Sequence, residues 1–276
     1  MSCCSAPLHI TTNQELSPEQ ERAYNRFLEE WEGTTEPLVD EIRDAVLNDQ
    51  IDLSTLEGIR TEIEPRVGTY TADFETLFRE VGEDAAVAGR TIAARRYELD
   101  IAFDVVPESA IAELDDWAVT ASQSVSDTIG EEVTRYLRGA MEEGVSVDEI
   151  ADQFQTEYAA QRLTDTHAEQ LALDATLGPS ETGNHSAHEE APGVVAEEWN
   201  TNLDGREREA HADAHGQIVP VDATFLVGGE ELLHPHDPSG SIENTTRCRC
   251  SALPVFTDDL TEDELEAIEN GERLNV

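Results

Sequence analysis

Histidine and cysteine are the residues of this 276-residue chain best suited to hold a metal, and two pairs of them fall close together near its end. His211 and His215 stand four apart in a segment, 204–216, that reads as a short helix with Asp204 as cap and Glu207 as its reciprocal partner. Residues i and i+4 of a helix share a face, so both imidazoles are expected on one side. Cys248 and Cys250 stand two apart in RCRCSALPVF, which reads as a strand, so both sulfurs face one way. Two imidazoles and two thiolates complete a tetrahedral zinc site. The spacing therefore predicts a structural zinc ion held by His211, His215, Cys248 and Cys250, tying the helix to the last strand. With every position filled by protein such a site is closed, hence structural and not catalytic. His234, His236 and Asp237 are rival ligands in the same region. Without a metal, His215 reads as a favourable charge at a helix C-terminus and the cysteines as small buried residues. His185 and His188 fall in GPSETGNHSAHEEAPG, residues 178–193, whose composition reads as a solvated loop.

No HExxH motif, nucleophile–base arrangement or phosphate-binding glycine loop is present, so no catalytic residue is expected. Cys3 and Cys4 carry no assignable chemistry, and the terminus that holds them is expected to be flexible. Four cysteines in a chain of this length do not make a disulfide scaffold, so a reducing cytoplasm is expected during folding. MSCCSAPLHITT has neither the basic start nor the apolar run of a secretory signal. No apolar stretch is long enough to span a membrane.

The formal net charge is −44, from 61 acids against 17 basic residues, and every basic residue is arginine. The acids run through the whole chain. An evenly acidic surface stays hydrated in concentrated salt, where self-repulsion is screened over about 3 Å at 1 M. The composition therefore predicts an extremely halophilic source, with DNA mimicry as the other reading. Direct nucleic-acid binding is not expected, because the basic footprint for phosphates is missing.

The elements that must position these residues divide in two. Ser17, Pro18 and Gln20 read as cap, first-turn proline and reciprocal partner of a helix carrying Tyr24, Phe27, Leu28 and Trp31. A second helix is predicted over 37–47. A third is predicted over 70–97, with Phe74, Leu77, Phe78 and Val81 on its stripe and Gly89 as its weak point. Pro107 interrupts the helical run. Leu114, Trp117, Val125, Ile129, Val133 and Leu137 then continue it until Gly144. Ser146 and Glu149 read as a further capping box, before Ile150, Phe154 and Tyr158. These stripes read as packed core. Beyond residue 178 short strands follow at 193–199, 217–222, 223–227, 231–235 and 247–256, then a helix capped by Thr261 and Glu264. The fold class expected is α+β: a mostly helical N-terminal part, then a small mixed domain with short antiparallel strands.

The second part resembles the phage Mu protein F-like minor head proteins, the phage head morphogenesis family. The likeness lies in an ordered set: Trp199, then Asp204, Arg206 and Arg208, then His211, HGQIVPVD, Phe225, PHDPSG with Asp237, and last RCRC. Thr246-Arg247 departs from the asparagine that the family usually places before Cys-Arg-Cys. Upstream, GVSVDEIADQF resembles the family's glycine and "ExA" helix, whereas residues 163–178, with His167 and Glu169, depart from its arginine–threonine–glutamate signature. The resemblance covers roughly 137–256. It divides the chain into an N-terminal helical region (1–136), a head-morphogenesis domain (137–256) and a C-terminal short helix and tail (257–276).

What the resemblance implies is a minor head protein of a tailed virus, not an enzyme. It would be associated with the portal and act in head assembly, DNA packaging or ejection. Composition then makes the virus or provirus haloarchaeal. The partners implied are the portal protein, with major capsid or scaffold proteins. The place implied is the virion, at the portal vertex, capsid interior or neck, and the host cytoplasm during assembly. Trp199, Asp204, Arg206, Arg208, Phe225 and Asp237 are expected to be structural, with partner binding as the second reading for the two arginines. A metal-dependent nuclease or toxin-like enzyme carried by a head protein is the alternative function, and a halophilic metal-binding module with no viral role is a third.

Overall fold

A computed structural model of the chain describes residues 16–156 and 167–275. Cys3, Cys4 and Tyr158 lie outside the described residues. The α+β expectation holds: helices come first, and short antiparallel strands follow in two small sheets.

Helix α1 (Pro18–Leu47) opens on the predicted cap, with Ser17 and Gln20 bonded to each other reciprocally. It runs through Pro37 without ending, so the separate helix predicted over 37–47 is part of α1. Proline removes one backbone bond to residue i−4, here Gly33, which is exposed and free to be hydrated. Helices α2 (Leu56–Thr69) and α3 (Thr71–Arg96) follow, then α4 (Glu108–Glu142), which starts after Pro107 and stops before Gly144 at φ 74°. In α5 (Val147–Gln153) the Ser146 hydroxyl accepts from the Glu149 amide.

The core of this half is an aromatic stack. Phe27, Trp31, Phe74 and Phe78 are all buried, with ring centroids 5.3–5.7 Å apart, and Trp117 meets Phe78 edge-on at 5.4 Å. Burying such side chains contributes roughly 1.5–3 kcal/mol each and orders the bundle.

The largest departure from expectation is α6 (His167–Glu190). Residues 178–190 are helix, not loop, and most of their side chains are buried. The reason is close packing on α3. A Cβ on Gly183 would lie 2.0 Å from the Ala86 carbonyl oxygen, and one on Gly89 would lie 1.9 Å from that of Ser180. The glycines that make both segments look weak are what lets the two backbones touch. Arg90, fully buried on α3, locks the crossing by donating to Ser186 (2.9 Å), Glu190 (2.5 Å) and the Ala102 carbonyl (2.9 Å).

After Gly193 the chain enters a four-stranded antiparallel sheet in the order β5-β1-β2-β6: β1 (Val194–Asn200), β2 (Gln217–Pro220), β5 (Ser251–Phe256) and β6 (Leu274–Asn275). A separate hairpin pairs β3 (Phe225–Val227) with β4 (Glu230–Leu232) through the predicted Gly228-Gly229 turn. Short helices α7 (Glu209–Ala214), α8 (Ile242–Thr245) and α9 (Glu262–Glu269) complete it, α9 carrying the predicted Thr261–Glu264 capping box. No helix among the described residues is long and apolar enough to cross a membrane.

Candidate metal centre

Trp199, at the end of β1, builds the floor of the site. It is fully buried, and its ring meets Phe225 at 5.3 Å and His211 edge-on at 5.9 Å. Its Nε1 donates to Thr201 Oγ1 (3.1 Å), which donates in turn to the His211 carbonyl (2.6 Å). One tryptophan thus fixes α7 to the sheet and aims His211.

Cys248 and Cys250 lie in the loop before β5, not on the strand itself. His211 Nδ1 sits 3.2 Å from the Cys250 sulfur and 3.6 Å from that of Cys248, and the three ligand atoms lie within 4.8 Å of one another. All three residues are buried. Tetrahedral zinc with ordinary bond lengths separates a nitrogen and a sulfur ligand by about 3.5 Å, so these spacings fit an ion. The Cys250 thiol is pulled down to about 5, first by a hydrogen bond from Cys248, against the opposing effect of burial, and then by His211 and Thr201. The Cys248 thiol is pushed well up by that same pairing and by burial. The pairing thus favours the thiolate at Cys250 and the thiol at Cys248. His211 Nε2 is buried with no partner among the described residues, so the usual outer acceptor on a ligating histidine is missing.

His215 is not in this group. It is exposed, and its Nδ1 accepts from the Thr201 amide at 3.1 Å. The physical reason is that α7 ends at Ala214 and His215 leaves it with ψ 132°, so the shared-face rule stops applying. Asp204 is corrected too: it caps no helix, because Arg208 holds that place. Its carboxylate instead grips Arg249 (2.6 and 2.8 Å) and Arg206 (2.6 and 3.1 Å), and its pKa is held far below the usual range by those two guanidiniums. Arg208 donates to the Thr246 carbonyl. Asp237 is buried and accepts from the Leu233 and Ser239 amides, organising the PHDPSG turn.

The rival histidines do other work. His234 uses both ring nitrogens, one against the Pro235 carbonyl and one against Glu113 of α4, each at 2.8 Å. Burial works against its charge, but Glu113 outweighs it and raises the ring to about 9. His236 is buried beside the loop and driven down to about 3 by burial and then by the charges of His234, His211 and Arg208. His185 and His188, expected in a loop, point from α6 onto one fully buried carboxylate of β1. Their Nδ1 atoms lie 2.8 and 2.6 Å from the two oxygens of Glu197. Burial raises the Glu197 pKa, yet the two rings hold it at about 2. Glu181 of α6, bonded to the Ala252 amide and Asn184, is raised by burial to about 7. This polar seam joins helices to sheet, and nothing in the spacing of single residues announced it.

Residues 131–253 match the family model of Phage Mu protein F like protein. The matched span begins inside α4, takes in every residue of the site and ends inside β5. The match supports assignment as a phage head morphogenesis protein. A curated relative, "Uncharacterized protein YqbB" of Bacillus subtilis (strain 168), is 25% identical over 197 residues, 66% of this chain and 62% of that protein. The chain thus spans less than two thirds of that relative's length. No solved structure matches. In the Mu F-like segment the ordered motif is a set of contacts: Trp199 and Phe225 as floor, His211 and the two cysteines as a cluster, Asp204 and its arginines as the rim.

Proposed function

We propose that this chain is a minor head protein of a tailed virus with an extremely halophilic, haloarchaeal host. It docks on the portal and acts in head assembly, DNA packaging or ejection. The observation that carries the reading is the match over 131–253, within which His211, Cys248 and Cys250 meet in one buried cluster. Within it, His211, Cys248 and Cys250 hold a zinc ion that fastens the loop before β5 to α7. In a small unit with few apolar residues such a staple contributes stability that the core alone does not supply. The test is co-purification with the portal protein of the same virus in molar salt: a stable complex supports the reading, and a chain that passes through without the portal refutes it.

One feature favours the alternative of a metal-dependent nuclease. With His215 elsewhere, three protein ligands leave a fourth position open, which removes closure as an argument for a purely structural ion. Against it stands the net charge of −44, which repels a polyanion. Nuclease assays in molar salt with and without zinc separate the two.

A further inference from the structure

The three clustered residues form one wall of a cavity of about 210 Å³ whose other walls carry Arg206, Arg208, Arg247 and Arg249. Four of the chain's 17 cations thus meet at one hollow in a protein of net charge −44. Glu207 is the only acid on the lining among the described residues. Arg206 and Arg249 are committed to Asp204, but no acid lies within ion-pair distance of the other two among the described residues. Arg208 has a neutral carbonyl as its partner, and the exposed Arg247 guanidinium has no hydrogen-bond partner there. Arg247 takes a left-handed backbone, φ 55°, held by its amide donating to the half-buried Asp174 of α6 at 3.1 Å. A non-glycine residue in that region is uncommon, and here it accompanies a cation at the cavity wall.

We propose that this cavity binds a single carboxylate presented by an acidic segment of a partner protein, with Arg208 and Arg247 as the gripping residues. Two planar guanidiniums suit a carboxylate fork, and Asp204 between Arg206 and Arg249 shows that geometry a few residues away. The acidic surroundings disfavour an extended phosphate polymer. The inference goes beyond the metal reading, because the arginines stand there with or without an ion.

The test is calorimetric titration of the full chain at the lowest salt concentration in which circular dichroism shows the parent folded, so that charge is screened as little as the fold allows. One peptide is acetyl-triaspartate amide, another is an acetylated alanine tripeptide with a free C-terminus, and inorganic phosphate is the third probe. Saturable binding of either peptide that weakens at least about tenfold in Arg208→Gln/Arg247→Gln supports the site, and which peptide binds identifies the source of the carboxylate. Circular dichroism checks that the variant is folded. Should it not fold, Arg208→Lys/Arg247→Lys keeps the charge but removes the fork, and several-fold weaker binding is expected. No saturable peptide binding, binding unchanged in the variants, or phosphate binding more tightly than both peptides overturns the proposal.

Discussion

Replacing Gly183 by alanine tests the packing that turns residues 178–190 into helix. The added methyl would lie 2.0 Å from the Ala86 carbonyl oxygen, where ordinary contact needs 3.4 Å or more, so α6 and α3 must part by about 1.4 Å. The obstacle is backbone, and no side chain can swing aside. Overpacking costs about 1–3 kcal/mol, and a gap of this size forfeits much of the dispersion along the crossing. The upper end applies here, at about 3 kcal/mol, reduced by about 1 kcal/mol from the better helix propensity of alanine. A net loss of about 2 kcal/mol is expected. Gly33 on α1 is exposed with nothing within 4 Å, so Gly33→Ala should instead gain up to about 1 kcal/mol. Urea denaturation followed by far-UV circular dichroism reads both, as shifts of midpoint at equal slope. A Gly183→Ala protein as stable as the parent would refute the argument, whatever Gly33→Ala does.

Other outcomes follow from the buried polar seam. Glu197→Gln leaves His185 and His188 facing a neutral group and should cost on the order of 3 kcal/mol in the same assay at pH 7. Because Glu197 is depressed to about 2 from 4.5, its contribution is present above pH 4.5 and lost as pH falls toward 2, so the variant's deficit should shrink in acid. Glu181, raised to about 7, acts in the opposite sense: its contribution is full below pH 4.5 and is lost as pH rises through 7. His234, raised to about 9, contributes fully below pH 6.5 and loses that as pH rises through 9. The parent's thermal midpoint, taken relative to that of Glu181→Gln, should therefore fall between pH 4.5 and 7. A difference that grows in the parent's favour with pH in this range would contradict the Glu181 assignment.

The caps at Ser17, Ser146 and Thr261, the helix α3 and the Gly228-Gly229 hairpin were legible because each depends on neighbours in sequence. Helix α6 was not, since Gly178, Pro179, Gly183 and Asn184 are turn formers by composition and become helical only against α3. The pairing of His211 with Cys248 and Cys250 was legible through their ligand chemistry, an imidazole and two thiols suited to one zinc ion. The loss of His215 was not, because one residue's difference in where α7 ends decides which way its ring points. The arginine rim was half visible: Arg206 and Arg208 stood out with Asp204, whereas Arg247 and Arg249 lined the cavity only after the loop before β5 folded back.

Elemental analysis of the protein purified without chelator tests the metal centre most directly. Near one zinc per chain is expected, lost in Cys248→Ser and Cys250→Ser and retained in His215→Ala. Folded protein with a stoichiometry near zero, or a zinc content that survives both cysteine changes, would contradict it.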